Sequence, residues 1–529
     1  MGTSSGIFLK SFLLALIIFS AVCARYYFSA AAKTDGHYIY LIDDAYIHLA
    51  MAKNFALYEV WGVTRYEFSS TSSSPLFTYL LSVLLKFFGN IDLIPLYFNM
   101  FLGFGLVYIL VRYFSQVFQK VSSMVAAVVF TLFFSVMHLQ LLSGMEHVLH
   151  VFLFTVNVFC LSNLKSRTNV SGFYISLLLM GMVRFESMFY FVILAAVFMG
   201  IKKWGEALAV LLTGFIPIAV FCYFNEQHTG YLFPNSVVVK GTQISFNSDF
   251  FHQLKIIVIN NLLFNISFYK VGFFPVLMSL VFMVRDFKNR NFSEVITRNL
   301  LIIVLSLLMF CHAMFADLKG LFRYEAYLMA GFSMALIPKV KGFLEDFKNY
   351  IRYERLISGL IFINILLLAY KLFFAHLMLD NGGKNIYEQQ IQSAKFLNTY
   401  YNRSKVVAND IGAITYYTDI HLLDIAGLGS KETILFNQNK KKADKYFKQF
   451  LSRYTIDNSY DIAVIYDPWL EGQIPSNWKK AAVLKITNPV TVAREEVSVY
   501  SVNQRNLRLL KENIRKFNWN KNVKVTMVD

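Results

Sequence analysis

Long apolar runs separated by short polar stretches set the plan of this chain. The first, about 7–31, is of membrane length and has no small-x-small cleavage site, so it predicts a retained helix and not a signal peptide. The next, Pro75 to Phe88, covers only about a dozen residues, short of the roughly 20 that a crossing helix needs. Ser73-Ser74-Pro75 in front of it is a helix start with proline at the first helical position, which predicts a helix lying in the interface. Further runs fall at about 93–112, 123–141, 147–163, 170–184, 186–201, 205–224, 257–284, 299–316, 324–338 and 355–374. With the first, they make about eleven spans.

The pattern changes near residue 376. Lys405-Val406-Val407-Ala408, Ile414-Thr415-Tyr416-Tyr417, Asp461 to Tyr466 and Ala481-Ala482-Val483-Leu484 read as buried strands, and about 384–401, 441–453 and 503–516 read as helices. The expected architecture is an α-helical polytopic membrane protein over 1–375 followed by an α/β soluble domain over 376–529. No internal repeat is visible, and no Gly-rich phosphate loop follows any strand, which argues against a nucleotide-driven engine.

A content of 56% hydrophobic and 17% aromatic residues in 529 supports the membrane class and gives the formal charge of +17 a plain meaning. At this hydrophobicity Lys and Arg belong to cytoplasmic loops and headgroup contacts, not to nucleic acid. With the N-terminus inside, the short cytoplasmic loops carry roughly fifteen basic residues, among them Arg112, Lys120, Lys165, Arg167, Lys202, Lys203, Arg285 and Lys339. Counting 75–88 as a span would turn these loops outward. The four cysteines, Cys23, Cys160, Cys222 and Cys311, lie in apolar segments without metal-ligand spacing and read as small hydrophobes.

This topology gathers the polar helix ends on the outer face. They are the loop 32–92 with Asp43-Asp44, Ser143-Gly144-Met145-Glu146-His147, Arg184-Phe185-Glu186, the loop 225–254, Lys319 to Tyr324, and the tail. Charged groups converging at one mouth of an apolar scaffold point to a site there.

Several of these segments resemble a known family, the GT-C glycosyltransferases, and within it the terminal arabinofuranosyltransferases of mycobacterial arabinan and bacterial pilin arabinofuranosyltransferases. Leu41-Ile42-Asp43-Asp44-Ala45-Tyr46-Ile47 with Ala52-Lys53-Asn54 resembles the family's first outer loop. Ser70 to Leu76 resembles its Ser/Thr-Ser-Pro-Leu entry to an interfacial helix, Ser143-Gly144-Met145-Glu146 its Gly-Leu-Glu turn, and Arg184-Phe185-Glu186 its Arg-Pro-Glu. Gly230 to Ser236, through Lys240, resembles a Pro-Asn-Thr and Lys loop, and Asp410 to Ala413 with Asp424 to Leu428 resembles the start of its soluble domain. Phe185 and Ser187 stand where the family pattern has Pro and Gly.

The resemblance implies a polyprenyl-phosphate sugar donor, most simply arabinofuranose, and transfer to an envelope glycan or an exported protein such as a pilin. It places the protein in the bacterial inner membrane, with the tail periplasmic or extracytoplasmic. An acceptor hydroxyl attacks the anomeric carbon, a carboxylate takes its proton, and the lipid phosphate leaves. Asp44, opening a helix over 45–57, is the expected base and Asp43 its partner or an acceptor anchor. Lys240, Arg323 and Arg184 are candidates for the donor phosphate, with Lys240 and Arg323 preferred because Arg184 can pair with Glu146 and Glu186. Glu146 is also a candidate for sugar hydroxyls, and Glu186, Asn235, His48 and Tyr324 complete the candidate set. His48 reads first as a hydrogen-bonded structural histidine, His147 and His150 as ordinary ones, and Asp410 and Asp424 as caps of strands and turns.

No cofactor is indicated by a motif. A divalent cation bridging Asp43 or Asp44 to the donor phosphate is left open. Mannosyl or aminoarabinosyl transfer are the alternatives within the class. A lipid-sugar flippase expects midplane charges and broken helices in both halves, and a non-catalytic envelope assembly protein expects the tail to act as a binding module.

Overall fold

Apolar runs fold as helices here because a chain surrounded by apolar side chains must satisfy its own backbone N–H and C=O groups. The computed structural model describes residues 5–241, 249–288, 290–316, 318, 321–438, 440–470 and 472–528. Five described helices are long and apolar enough to cross a membrane: Ser5–Ala32, Ile94–Phe114, Trp204–Thr229, Phe292–Phe315 and Arg355–Tyr400.

The other expected spans are shorter or broken. The run at about 123–141 divides into Val121–Phe134 and Met137–Leu142, because Val136 takes a left-handed φ of 53°. The run at about 257–284 becomes Phe250–Ile257, a π-helical stretch Val258–Leu263, Ile266–Val271 and Phe273–Phe287. His147–Leu161, Arg167–Val183, Ser187–Gly200 and Ala326–Leu336 stand where four more spans were expected. Hydropathy marks where the apolar helix lies; whether its backbone stays continuous depends on packing it does not record.

The chain divides into two compact units: Met1–Arg25, Tyr97–Val220 and Thr242–His376 form the first, and Tyr26–Leu96, Phe221–Gly241 and Leu377–Asp529 the second. Within the first, two glycines let neighbouring helices approach closely. A Cβ on Gly181 would lie 2.8 Å from the carbonyl oxygen of Gly214, and one on Gly214 would enter the Phe191 ring. Small residues at such crossings give dispersion contacts that lipid cannot supply better. Buried polar groups here are satisfied across helices: Asn157 Nδ2 donates to Phe173 O at 3.0 Å, and Tyr190 OH donates to Asn157 Oδ1 at 2.7 Å.

The second unit is built on a six-stranded sheet. Its strands are β1 (Lys405–Ala408), β2 (His421–Asp424), β3 (Ile462–Ile465), β4 (Lys479–Lys485), β5 (Glu496–Ser501) and β6 (Lys524–Met527), in the order β2-β1-β3-β5-β4-β6. β1 pairs in parallel with β2 and β3, and the rest pair antiparallel. Strand alternation sends Val406, Ala408, Ile462 and Val464 into one core layer and Val407, Ala463 and Ile465 into the other. Ile47, Met51 and Val63 from the segment after the first helix belong to the former layer, so that segment is part of the tail's own core.

Two expectations about the tail need correction. Ile414-Thr415-Tyr416-Tyr417 is not a strand but lies in the helix Gly412–Tyr417, whose N-terminus is held by the side chain of Asp43. β2, β5 and β6 were not anticipated; β6 is a short outer strand, with Lys524 and Thr526 exposed. The helix Pro75–Phe88 is as expected, with proline in its first turn and Phe77, Thr78, Leu81, Ser82 and Leu85 buried along one stripe. Its Tyr79, Phe87 and Phe88 are exposed, which suits a helix in an interface.

Asp424, fully buried, organises the loop after β2. Its carboxylate accepts the N–H groups of Ala426, Leu428 and Gly429 at 2.8, 2.6 and 2.7 Å. Asp424→Ala leaves three backbone donors without their acceptor and is expected to destabilise the second unit by about 2–4 kcal/mol. The check is thermal unfolding in detergent, where a midpoint unchanged from wild type would refute this role.

Candidate active site

In the second unit the acid pair sits at the start of the helix Asp44–Tyr58. Asp43 occupies the N-cap position, yet its side chain makes no cap bond to its own helix. It crosses instead to the helix Gly412–Tyr417, accepting Gly412 N–H at 2.6 Å and Ala413 N–H at 2.8 Å. A helix N-terminus offers unpaired N–H groups and a positive dipole end, so a carboxylate is the natural acceptor. Glycine is required at 412: a Cβ there would run into the carbonyl oxygen of Asp43.

Asp410 lies beside this contact. Its Oδ2 accepts Gln390 Nε2 at 2.7 Å and is 2.6 Å from Tyr466 OH, which also reaches Gln389 Oε1 at 2.6 Å. These groups line a small cleft with Ser393, Asn409 and Ile414. Inward placement of the Asp43 carboxyl, then the negative charges of Asp410 and Asp44, push its pKa up to about 8, while the two N–H bonds hold it down. Asp44 is half-buried.

His48, one turn after Asp44, is buried, with Nδ1 2.8 Å from Thr78 Oγ1 and 3.3 Å from Ser72 Oγ. It fastens two helices, as the structural reading anticipated. Asn235 is likewise a tie: its N–H donates to Ser70 O at 2.9 Å and its Nδ2 to Leu428 O at 3.0 Å. Lys240 closes the helix Asn235–Lys240, and its side chain lies outside the described residues.

The remaining candidates belong to the first unit. Glu146 precedes the helix His147–Leu161, Arg184 ends Arg167–Val183, and Glu186 precedes Ser187–Gly200. Acids at helix N-termini and a cation at a C-terminus match the helix dipoles. Arg184 Nη1 donates to Glu146 Oε1 at 2.6 Å, Nε donates to Glu186 Oε2 at 3.1 Å, and Nη2 donates to Glu186 Oε1. The guanidinium also lies 4.9 Å from the Tyr324 ring, and Arg323 lies 5.3 Å from the same ring. His147 is 3.8 Å from Glu146, and His150 contacts Ser187 Oγ at 3.1 Å. Among the described residues no group of three or more His, Cys, Asp or Glu side chains is arranged to hold a metal ion.

Sequence reading missed Gln389, Gln390 and Tyr466. The two glutamines lie in a π-helical stretch, Tyr387–Ile391, between the long helix Arg355–Ile386 and the helix Gln392–Tyr400. Such stretches recur at functional sites but have no sequence signature.

Fold and site together define a helical membrane-type scaffold joined to an α/β domain, with carboxylate clusters at element ends. The chain is similar over 92% of its length to ArnT from Cupriavidus metallidurans, whose crystal structure has undecaprenyl phosphate bound. That likeness covers 98% of the ArnT chain, with a TM-score of 0.50 and 10% identity, and it shows the fold. Residues 384–500 match a domain of unknown function, DUF8728. No curated protein matches the sequence.

Two outcomes test the geometry. A carboxyl with a raised folded pKa stabilises fully below its unfolded value and loses that contribution as pH climbs through the folded one. The Asp43 contribution is therefore complete near pH 4 and gone by about pH 8. Asp43→Asn should flatten the fall of the unfolding midpoint across that window; a slope parallel to wild type would sink the assignment. Arg184→Met leaves Glu146 and Glu186 without their shared cation and should cost about 3–5 kcal/mol. Detergent-phase unfolding would show it, and a variant as stable as wild type would show the triad to be idle.

Proposed function

We propose that this protein is a GT-C-type glycosyltransferase that moves a sugar from a polyprenyl-phosphate donor to an acceptor hydroxyl at the outer face of the bacterial inner membrane. The observation that carries the reading is the ArnT-like fold over 92% of the chain, from a protein seen with undecaprenyl phosphate. The ordered motifs from Asp43 to Leu428 add to it, because each places polar chemistry at the end of an apolar helix or in the tail.

In this reading Asp44 is the general base. It takes the acceptor proton as the acceptor oxygen bonds to the anomeric carbon, and the bond from that carbon to the phosphate oxygen breaks. Asp43, committed to Gly412 and Ala413, holds the start of the Asp44 helix in register and does not itself take the proton. Arg323 and Lys240 are assigned to the departing phosphate, where fixed cations stabilise charge as it develops. Arg184, tied to Glu146 and Glu186, sets helix ends and carries the Tyr324 ring. A divalent ion at the acid pair would supply further charge to the phosphate.

Arabinofuranose is the proposed sugar, on the motif resemblance, with an envelope glycan or exported protein as acceptor. A mannosyl or aminoarabinosyl donor is compatible with the same fold. The proposed topology puts the N-terminus in the cytoplasm and the tail outside, following the basic loops.

Incubating the purified protein with a panel of polyprenyl-phosphate sugars should give transfer from one of them, and a panel without any turnover would refute the enzyme reading. Asp44→Asn should lower turnover by about 10²–10⁴-fold while leaving donor-lipid binding intact. Wild-type turnover in that variant would remove Asp44 as base.

A further inference from the structure

Lys371 sits in the middle of an apolar helix, Arg355–Ile386, fully buried, and has no part in the chemistry above. A lysine at such a position is costly and persists only where it holds something. Its Nζ donates to Phe134 O at 3.2 Å and lies 4.6 Å from the Phe134 ring centroid. Phe134 is the last residue of Val121–Phe134, where helical carbonyls run out of intrahelical donors. The ammonium therefore sits at the break where Val136 turns left-handed and Met137–Leu142 begins.

That second, short helix carries Gln140. Its Nε2 donates to Leu321 O and Phe322 O, each at 3.3 Å. Leu321 and Phe322 are consecutive non-glycine residues in the left-handed region, at φ 59° and 56°. A backbone of this kind needs outside support to persist. Arg323, Tyr324 and Glu325 follow directly, leading into Ala326–Leu336. Glu325 is fully buried as well and is the acidic group whose charge bears on Lys371.

We propose that Lys371 and Gln140 are positioning residues that aim Arg323 and Tyr324. Lys371 pins the helix break at Phe134, Gln140 carries that anchor to the carbonyls of residues 321 and 322, and the turn sets the direction of the two side chains that follow. The effect on donor binding rests on the reading of Arg323 as a phosphate ligand; the strut itself does not.

The test uses the full-length protein in nanodiscs with two readouts: hydrogen exchange of peptides covering 321–327, and steady-state kinetics with the polyprenyl-phosphate sugar selected by the donor panel. Lys371→Met and Gln140→Leu should each speed exchange in that segment and raise the donor KM at least about ten-fold, with kcat changed far less. Lys371→Met/Glu325→Gln, which removes both charges, should keep the raised KM. Unchanged exchange in the single variants overturns the strut. Recovery of wild-type KM and exchange in the double variant also overturns it, since charge neutralisation would then be Lys371's whole role. Faster exchange with no sugar turned over by wild type would uphold the strut and refute the proposed function instead.

Discussion

One carboxylate ties together segments 369 residues apart. Asp43 accepts the first two free N–H groups of the Gly412–Tyr417 helix, and much of the second unit follows from that contact. It fixes where the Asp44–Tyr58 helix starts, brings Ile47 and Met51 into the core of the sheet, and forbids a side chain at position 412. Two short N–H bonds converge on one carboxyl, and losing it would leave both donors without their acceptor, which is enough to hold a loop in a single register. Asp43, adjacent to Asp44 and chemically like it, is thereby committed to the fold.

The first unit solves a different problem with the same currency of paired charge. Where solvent is scarce, an unpaired ion costs more than any helix end gains from it, so ionic groups appear as closed sets. Arg184 serves two glutamates, each at a helix start, and the aromatic face of Tyr324 covers the cation. Three helix ends are held to one guanidinium. Lys371 does similar work at the broken end of Val121–Phe134, where a carbonyl takes the place of a carboxylate.

The sequence reading and the structure part where local pattern competes with distant contact. Ile414 to Tyr417 has the apolar and aromatic content of a strand, but the capped N-terminus at Gly412 and the packing of Tyr416 and Tyr417 against Tyr46, at 6.0 and 5.7 Å, make it a helix. Asn235, a polar residue in a loop by sequence, is buried and donates to Ser70 and Leu428, contacts no local pattern displays. His48 and Asp424 are both hydrogen-bonded inside the fold, as buried polar side chains generally are.

By itself the sequence determined the apolar, membrane-type character, the position of the apolar helices, the helix start at Pro75 and the change to mixed α/β pattern in the tail. Each of these depends on local composition and periodicity, which any window of the chain displays. Only the tertiary structure decided that Asp43 accepts the N–H groups of Gly412 and Ala413, that Glu146, Arg184 and Glu186 form one ion set, and that Gln389, Gln390 and Tyr466 surround Asp410. Those facts depend on which backbone donors and side chains meet across hundreds of residues. A carboxylate's role is set by the partners that reach it, and its neighbours in sequence do not record them.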